Sequence, residues 1–189
     1  METVNIVLCG LGGQGVLFMT KVLSHTAMAK GFKILGAETH GMAQRGGSVI
    51  SHLRLGDAES SLVRSGTAHF LLALDEYEAY RNLSFLSNGA GMYVNSNSDN
   101  FPQEDVKTLL DQKKVVYRSF PAAKKALELG APLSSNLALL GYFSTANGIP
   151  INNKEMRKTI EKISPDIFRE VNLSIFDAGY QEGLGKEKS

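Results

Sequence analysis

A short apolar run, Val4-Asn5-Ile6-Val7-Leu8-Cys9, leads directly into Gly10-Leu11-Gly12-Gly13-Gln14-Gly15. Beyond the glycines, Val16, Met19, Leu23 and Ala27 recur at helical spacing until Lys30-Gly31. The pattern predicts a buried strand, a glycine turn and a helix. Glycines permit a tight turn and close backbone approach, and unpaired N–H groups at a helix start favour an anion such as phosphate. Gly10, Gly12 and Gly15 meet the spacing G-x-G-x-x-G, and Glu38 falls near the end of the next predicted strand, as a dinucleotide site requires. The alternative is a turn whose glycines only pack a helix on a sheet.

With 189 residues, 43% of them apolar and 21% charged, the chain has the size and composition of one globular domain. A net charge of +1 gives no electrostatic reason to expect nucleic acid or an anionic membrane as partner. No apolar run reaches the roughly 18 residues that span a bilayer, and no basic-then-apolar leader pattern opens the sequence. A cytoplasmic protein is expected. Its single cysteine, Cys9, excludes an internal disulfide, a cysteine-rich zinc site and the ligand set of an iron–sulfur cluster. At the end of an apolar strand it reads as a small buried hydrophobe.

The second strand is predicted over Phe32 to Ala37, followed by a polar loop, Glu38-Thr39-His40-Gly41-Met42-Ala43-Gln44-Arg45-Gly46-Gly47. Ser48 to Leu55 alternates as a strand does, Gly56-Asp57 turns the chain, and Ser60 to Val63 is expected to return as an antiparallel partner. His69 to Leu74 reads as a strand and Glu76 to Leu83 as a helix. After a turn at Asn88-Gly89 come a strand from Met92 to Asn95 and a helix from Glu104 to Asp111. A strand from Val115 to Tyr117 and a helix from Pro121 to Leu129, closed by Gly130, complete this part. From Pro132 the chain reads as helical. Ser134 or Ser135 opens a helix to Asn147-Gly148 in which Gly141 permits a close neighbour. Asn152 with Glu155 forms a capping box, and Pro165-Asp166 starts the last helix. The expected fold is α/β: three α/β/α layers, a mixed, mostly parallel sheet and a helical C-terminal part. Residues 1–182 form one domain in this reading, and residues 183–189 a flexible tail.

No complete catalytic set emerges. Val16 and Leu17 stand where a P-loop needs Lys and Ser or Thr. The four histidines lack metal-ligand spacing, there is no G-x-S-x-G elbow, and Gly56-Asp57 with the distant Asn152-Asn153 does not make a thiamine diphosphate motif. His40 is a candidate for contact with a ligand or partner. Arg45, with Gly46 and Gly47, can offer a guanidinium fork and adjacent N–H groups to a phosphate or carboxylate, or else pair with Glu38.

Taken together, the Gly10–Gly15 turn, the stretch Glu38 to Val49, Ser51-His52-Leu53-Arg54, and Ser135-Asn136 with Leu139-Leu140-Gly141 carry a resemblance over residues 4 to 180. The sequence resembles the gamma subunit or domain of 2-oxoacid:ferredoxin oxidoreductases. The form H-G-M-A-Q-R-G-G is similar to the indolepyruvate oxidoreductase beta-subunit branch. The resemblance implies an enzyme that decarboxylates a 2-oxoacid, such as pyruvate or an aryl pyruvate, on thiamine diphosphate. It passes electrons through 4Fe-4S clusters to ferredoxin and the acyl group to coenzyme A. Thiamine diphosphate and the clusters then belong to a larger partner subunit of a hetero-oligomer, and the isolated chain is free to self-associate. Gly10, Gly12, Gly13, Gln14, Gly15, His40, Gln44, Arg45 and Gly46 are the expected cofactor- or partner-binding residues, with coenzyme A the candidate ligand. The other reading of the same residues is a free-standing Rossmann-type NAD- or FAD-binding module with Glu38 on a ribose.

Overall fold

A computed structural model describes residues 2–41 and 46–186. Its first turn of chain is the predicted one: strand β1 (Val4–Leu11), the glycine turn, and helix α1 (Val16–Ala29). Strands β2 (Ile34–His40) and β3 (Ser48–Leu55) follow, then β4 (Ala68–Ala73), helix α2 (Glu76–Arg81) and β5 (Leu86–Asn95). Helix α3 (Glu104–Gln112), strand β6 (Val116–Phe120) and helix α4 (Ala122–Glu128) complete the alternating part. The rest is helical: α5 (Ser135–Phe143), α6 (Asn153–Ile163) and α7 (Asp166–Lys186).

The strands form one six-stranded sheet in the order β2-β3-β1-β4-β5-β6. Pairing is antiparallel on both sides of β3 and parallel from β1 through β4 and β5 to β6. The sheet is therefore mixed and mostly parallel, as expected. Along β1, Ile6 and Leu8 enter one core while Val7 and Cys9 enter the other. A strand buried on both faces needs an unbroken apolar run. Helices α1, α5 and α6 cover the first face, and α2 and α3 cover the second, which gives the three layers.

Several boundaries differ from the pattern in the sequence, and pairing explains most of them. Strand β2 starts and ends later than predicted, because β3 offers antiparallel partners as far as His40↔Val49. Glu38, Thr39 and His40 are thus strand, and not loop. No strand forms at Ser60 to Val63. Strand β3 already has β1 on one edge and β2 on the other, so a returning strand has no edge to join. That segment instead caps the sheet: Val63 N–H donates to His52 Nδ1 at 3.3 Å and Arg54 Nη1 to the Ser60 carbonyl at 2.9 Å. Asn88-Gly89 lies inside β5, where the register shifts between Ala68↔Leu86 and Phe70↔Gly91. Strand β6 runs on to Phe120 because Tyr93, Val94 and Asn95 supply partners.

The C-terminal helices follow from burial. Every residue of α5 from Asn136 to Phe143 is buried, since the helix lies between the sheet and α7. An all-round apolar sequence is what such a position demands. Tyr93 and Phe70 meet Phe143 edge-to-face at ring separations of 5.1 and 5.3 Å. Helix α5 ends at Phe143, short of the predicted Asn147-Gly148, and Ser134 makes no side-chain cap. The capping box of α6 is present in full: Glu155 N–H donates to Asn152 Oδ1 at 3.0 Å, and Asn152 N–H to Glu155 Oε2 at 2.8 Å. Helix α7 continues to Lys186, past the Gly183 at which a tail was expected, because Gly183 is buried beside Thr145 and Tyr142.

Two outcomes are expected. A β-carbon on Gly141 would overlap the Phe176 carbonyl, and one on Gly179 the Ala138 carbonyl; backbone cannot yield as a side-chain tip can. Gly141→Ala should lower stability by about 1–3 kcal/mol or more, read by urea unfolding. Burial also holds the His52 imidazole below its ordinary value of 6.5. Between the two values the unfolded chain binds a proton that the folded chain refuses. Stability is therefore whole above about pH 6.5 and declines as the pH falls through it. Wild type should show this slope below about pH 6.5, and His52→Asn, which keeps an acceptor for Val63 N–H, should show less of it.

Candidate functional site

Two loops meet where β1 ends. After Leu11 the chain turns tightly: Gln14 N–H donates to the Leu11 carbonyl at 3.1 Å, and the Gln14 side chain folds back so that its Oε1 accepts from Leu11 N–H at 2.7 Å. Gly15 starts α1 with φ 88°, a left-handed conformation that suits glycine. A side chain there would also strike Asn136, which is 6% exposed and donates from Nδ2 to the Gly15 carbonyl at 3.3 Å. The N–H groups of Gly13, Gly15, Val16 and Leu17 make no hydrogen bond among the described residues. The start of α1 thus presents donors outward, as an anion site would.

Of the segment joining β2 to β3, Gly46 and Gly47 lie against the first loop. Gly41 N–H donates to the Ser48 carbonyl at 2.7 Å, and Gly12 N–H donates to the Gly47 carbonyl at 2.8 Å. The ladder behind them pairs Gly10 with Val49 and His40 with Val49 from the other side. The register therefore sets both glycine stretches at one end of the sheet. Ser48 Oγ donates to Glu78 Oε2 at 2.6 Å, and Glu78, 2% exposed, takes Arg81 Nη1 on its other oxygen at 3.1 Å. A buried carboxylate from α2 thereby holds the first residue of β3.

Of the expected binding residues, Gly10 lies within β1, while Gly12, Gly13, Gln14 and Gly15 form the turn. Gly46 packs beside Gly12, its N atom 3.6 Å from where a Gly12 β-carbon would sit. His40 is the exposed last residue of β2. Gln44 and Arg45 lie outside the described residues. Sequence reasoning passed over Glu78; the Asp75…Glu78 spacing of a capping box was its one signal. Asp75 does cap α2, accepting from Tyr77 and Glu78 N–H, but the Glu78 side chain turns inward to Ser48. Cys9 is fully buried, its Sγ donating to the Glu78 carbonyl at 3.5 Å, and burial pushes the thiol well up. It is packing, not a nucleophile.

The dinucleotide reading loses its signature contact. In that fold the acidic residue ends the strand next to β1. Here β3 stands between β1 and β2, which sets Glu38 two strand spacings, about 10 Å, away from the strand that feeds the glycine turn. Among the described residues no group of three His, Cys, Asp or Glu could hold a metal ion, and no helix is long and apolar enough to cross a membrane.

The family model for pyruvate ferredoxin/flavodoxin oxidoreductase matches residues 5–182. The chain belongs to that family. An indolepyruvate oxidoreductase subunit IorB from Thermococcus kodakarensis is 32% identical over 95% of each chain, and one from Archaeoglobus fulgidus is 32% identical over 98% of each. The 2-oxoglutarate synthase subunit KorC of Archaeoglobus fulgidus is 26% identical over 95% of this chain and 88% of its own. The gamma subunit of a keto/oxoacid ferredoxin oxidoreductase from Geobacter sulfurreducens has the same fold, with TM-score 0.75 and 22% identity over 96% of this chain and 99% of that one. The chain is thus a small subunit of the 2-oxoacid:ferredoxin oxidoreductase type, as its glycine stretches had suggested.

Removing the Ser48 hydroxyl would leave a buried carboxylate oxygen without its donor. Ser48→Ala should cost about 1–3 kcal/mol, measured by chemical unfolding.

Proposed function

We propose that this chain is the non-catalytic subunit of an oxidoreductase that decarboxylates an aryl 2-oxoacid, indolepyruvate being the leading substrate, to its acyl-CoA. A larger partner subunit carries thiamine diphosphate and the iron–sulfur clusters, and ferredoxin accepts the electrons. The observation that carries the proposal is the junction of the two glycine stretches, where Gly12 N–H meets the Gly47 carbonyl at 2.8 Å. Among the described residues, that junction offers backbone donors and no reacting group. The substrate class is supported by relatives named for indolepyruvate at 32% identity over nearly the whole chain, against 26% for the 2-oxoglutarate relative. A single cysteine falls short of the four thiolates such a cluster takes, so the electron path belongs to another chain.

In this reading the outward N–H groups at the start of α1, with Arg45 and Gly46, receive an anionic group. Coenzyme A supplies it, or an acidic side chain of the partner does. Compartment follows the same logic, and a cytoplasmic enzyme is proposed.

Purification of the chain from its own cells should bring down a companion with cysteine clusters. Indolepyruvate oxidation with an artificial acceptor should appear in the complex and be absent from the isolated chain. Arg45→Ala in the complex should raise the KM for coenzyme A or weaken assembly. Turnover by the isolated chain, or tight NAD or FAD binding to it, would overturn the proposal. An Arg45→Ala complex unchanged in both respects would remove the anion contact alone.

A further inference from the structure

A small subunit presents part of its surface to another chain, and the cores of such interfaces are poor in charged side chains. In a sequence that is 21% charged, Leu11 to Thr20 and Ala131 to Asn153 hold no Asp, Glu, Lys, Arg or His at all. Much of the second segment lacks charge because α5 is buried. Its start has no such reason: Pro132 and Leu133 are exposed, Leu133 at 85%. In the first segment Gly12, Gly13 and Leu17 are exposed, Leu17 at 42%.

The fold sets these two pieces side by side. Pro132, Leu133 and Ser134 make one tight helical turn that runs straight into α5, and Asn136, in the next turn, donates to the Gly15 carbonyl at 3.3 Å. Leu17 stands in the first turn of α1, just beyond Gly15. A single exposed leucine is ordinary. Two of them here share an uncharged patch against the glycine turn, and the backbone that carries Leu133 is already held. Ala131 N–H donates to the Ala126 carbonyl and Ser134 N–H to the Ala131 carbonyl, both at 2.9 Å. An anchor fixed in advance loses little freedom on association. Met28, in the last turn of α1, is exposed as well, at 59%, but it borders a groove lined by His25, Lys30, Lys158 and Lys162. That end of the helix is charged, and the glycine end is not.

We infer that the larger subunit of the complex seats an uncharged, apolar part of its surface on this patch, with Leu133 and Leu17 as the anchors. The inference rests on the proposed function for the existence of that subunit, and adds where it docks.

The chain and its companion, purified together, separated and recombined, provide the test, with affinity read by biolayer interferometry. Leu133→Gln and Leu17→Gln remove apolar contact without adding charge beside the N–H groups of the glycine turn. Each should weaken association about tenfold or more, and Leu133→Met should do so by less. Met28→Gln, about 16 Å from Leu17 along α1, should bind as wild type does. Both leucines are exposed, so circular dichroism and Tm of the isolated variants should match wild type. Wild-type affinity in either glutamine variant, or an equal loss in Met28→Gln, would overturn the docking site and leave the proposed function standing. A dimer of the isolated chain that Leu133→Gln dissociates, with affinity for the companion unchanged, would also overturn it, by giving the patch to a second copy. Absence of any companion would overturn the proposed function and the inference together.

Discussion

Everything at the functional end of this molecule depends on where β3 lies. A strand running against its neighbours, inserted between β1 and β2, is paired to β1 from Ser48 to Leu55 and to β2 from Val49 to Leu55. A one-residue slip would exchange its two faces, turning His52 toward α1 and Leu53 out of its core. The register is therefore fixed by burial, and the register in turn brings Ser48 opposite Leu11 and Gly47 against Gly12. Two loops some thirty residues apart in sequence are neighbours because a sheet ladder makes them so, not because of any attraction of their own.

Three polar side chains, Asn136 and Glu78 buried and Gln14 partly so, then steady that junction. Asn136 reaches Gly15 from α5, Glu78 reaches Ser48 from α2, and Gln14 returns to Leu11 within its own turn. The first two contacts join the junction to helices on opposite faces of the sheet, and the third stiffens the turn itself. Polar groups in such places are costly unless paired, and each of these three finds its partner. The sheet supplies position and the buried polar contacts supply stiffness. Among the described residues, the N–H groups of Gly13, Gly15, Val16 and Leu17 are left there without a hydrogen bond.

Much of this was legible in the sequence because the signals were local. The apolar run of β1, the glycine turn and the 3.6-residue period of α1 are set within the first thirty residues, and the capping box of α6 within four. Gly141 was legible as a point of close approach, and the Phe176 carbonyl is what approaches it. The hidden features were those that a distant segment decides. Ser60 to Val63 has strand composition and no vacant edge to join. Glu38 to His40 has loop composition and becomes strand because β3 lies beside it. Glu78 looks like a helix cap, and its partner, Ser48, is thirty residues earlier. At the site the glycines were readable and their buried supports were not, for the same reason.

The contact between α5 and α7 has a mechanical consequence. Where Gly141 and Gly179 bring the two backbones together, neither helix can ratchet along the other without forcing a carbonyl into an atom that has nowhere to go. Nor can α7 lift off without exposing the wholly apolar outer side of α5 to water. The two helices are therefore expected to open together. Asn136, in the first turn of α5, ties the glycine turn to that pair.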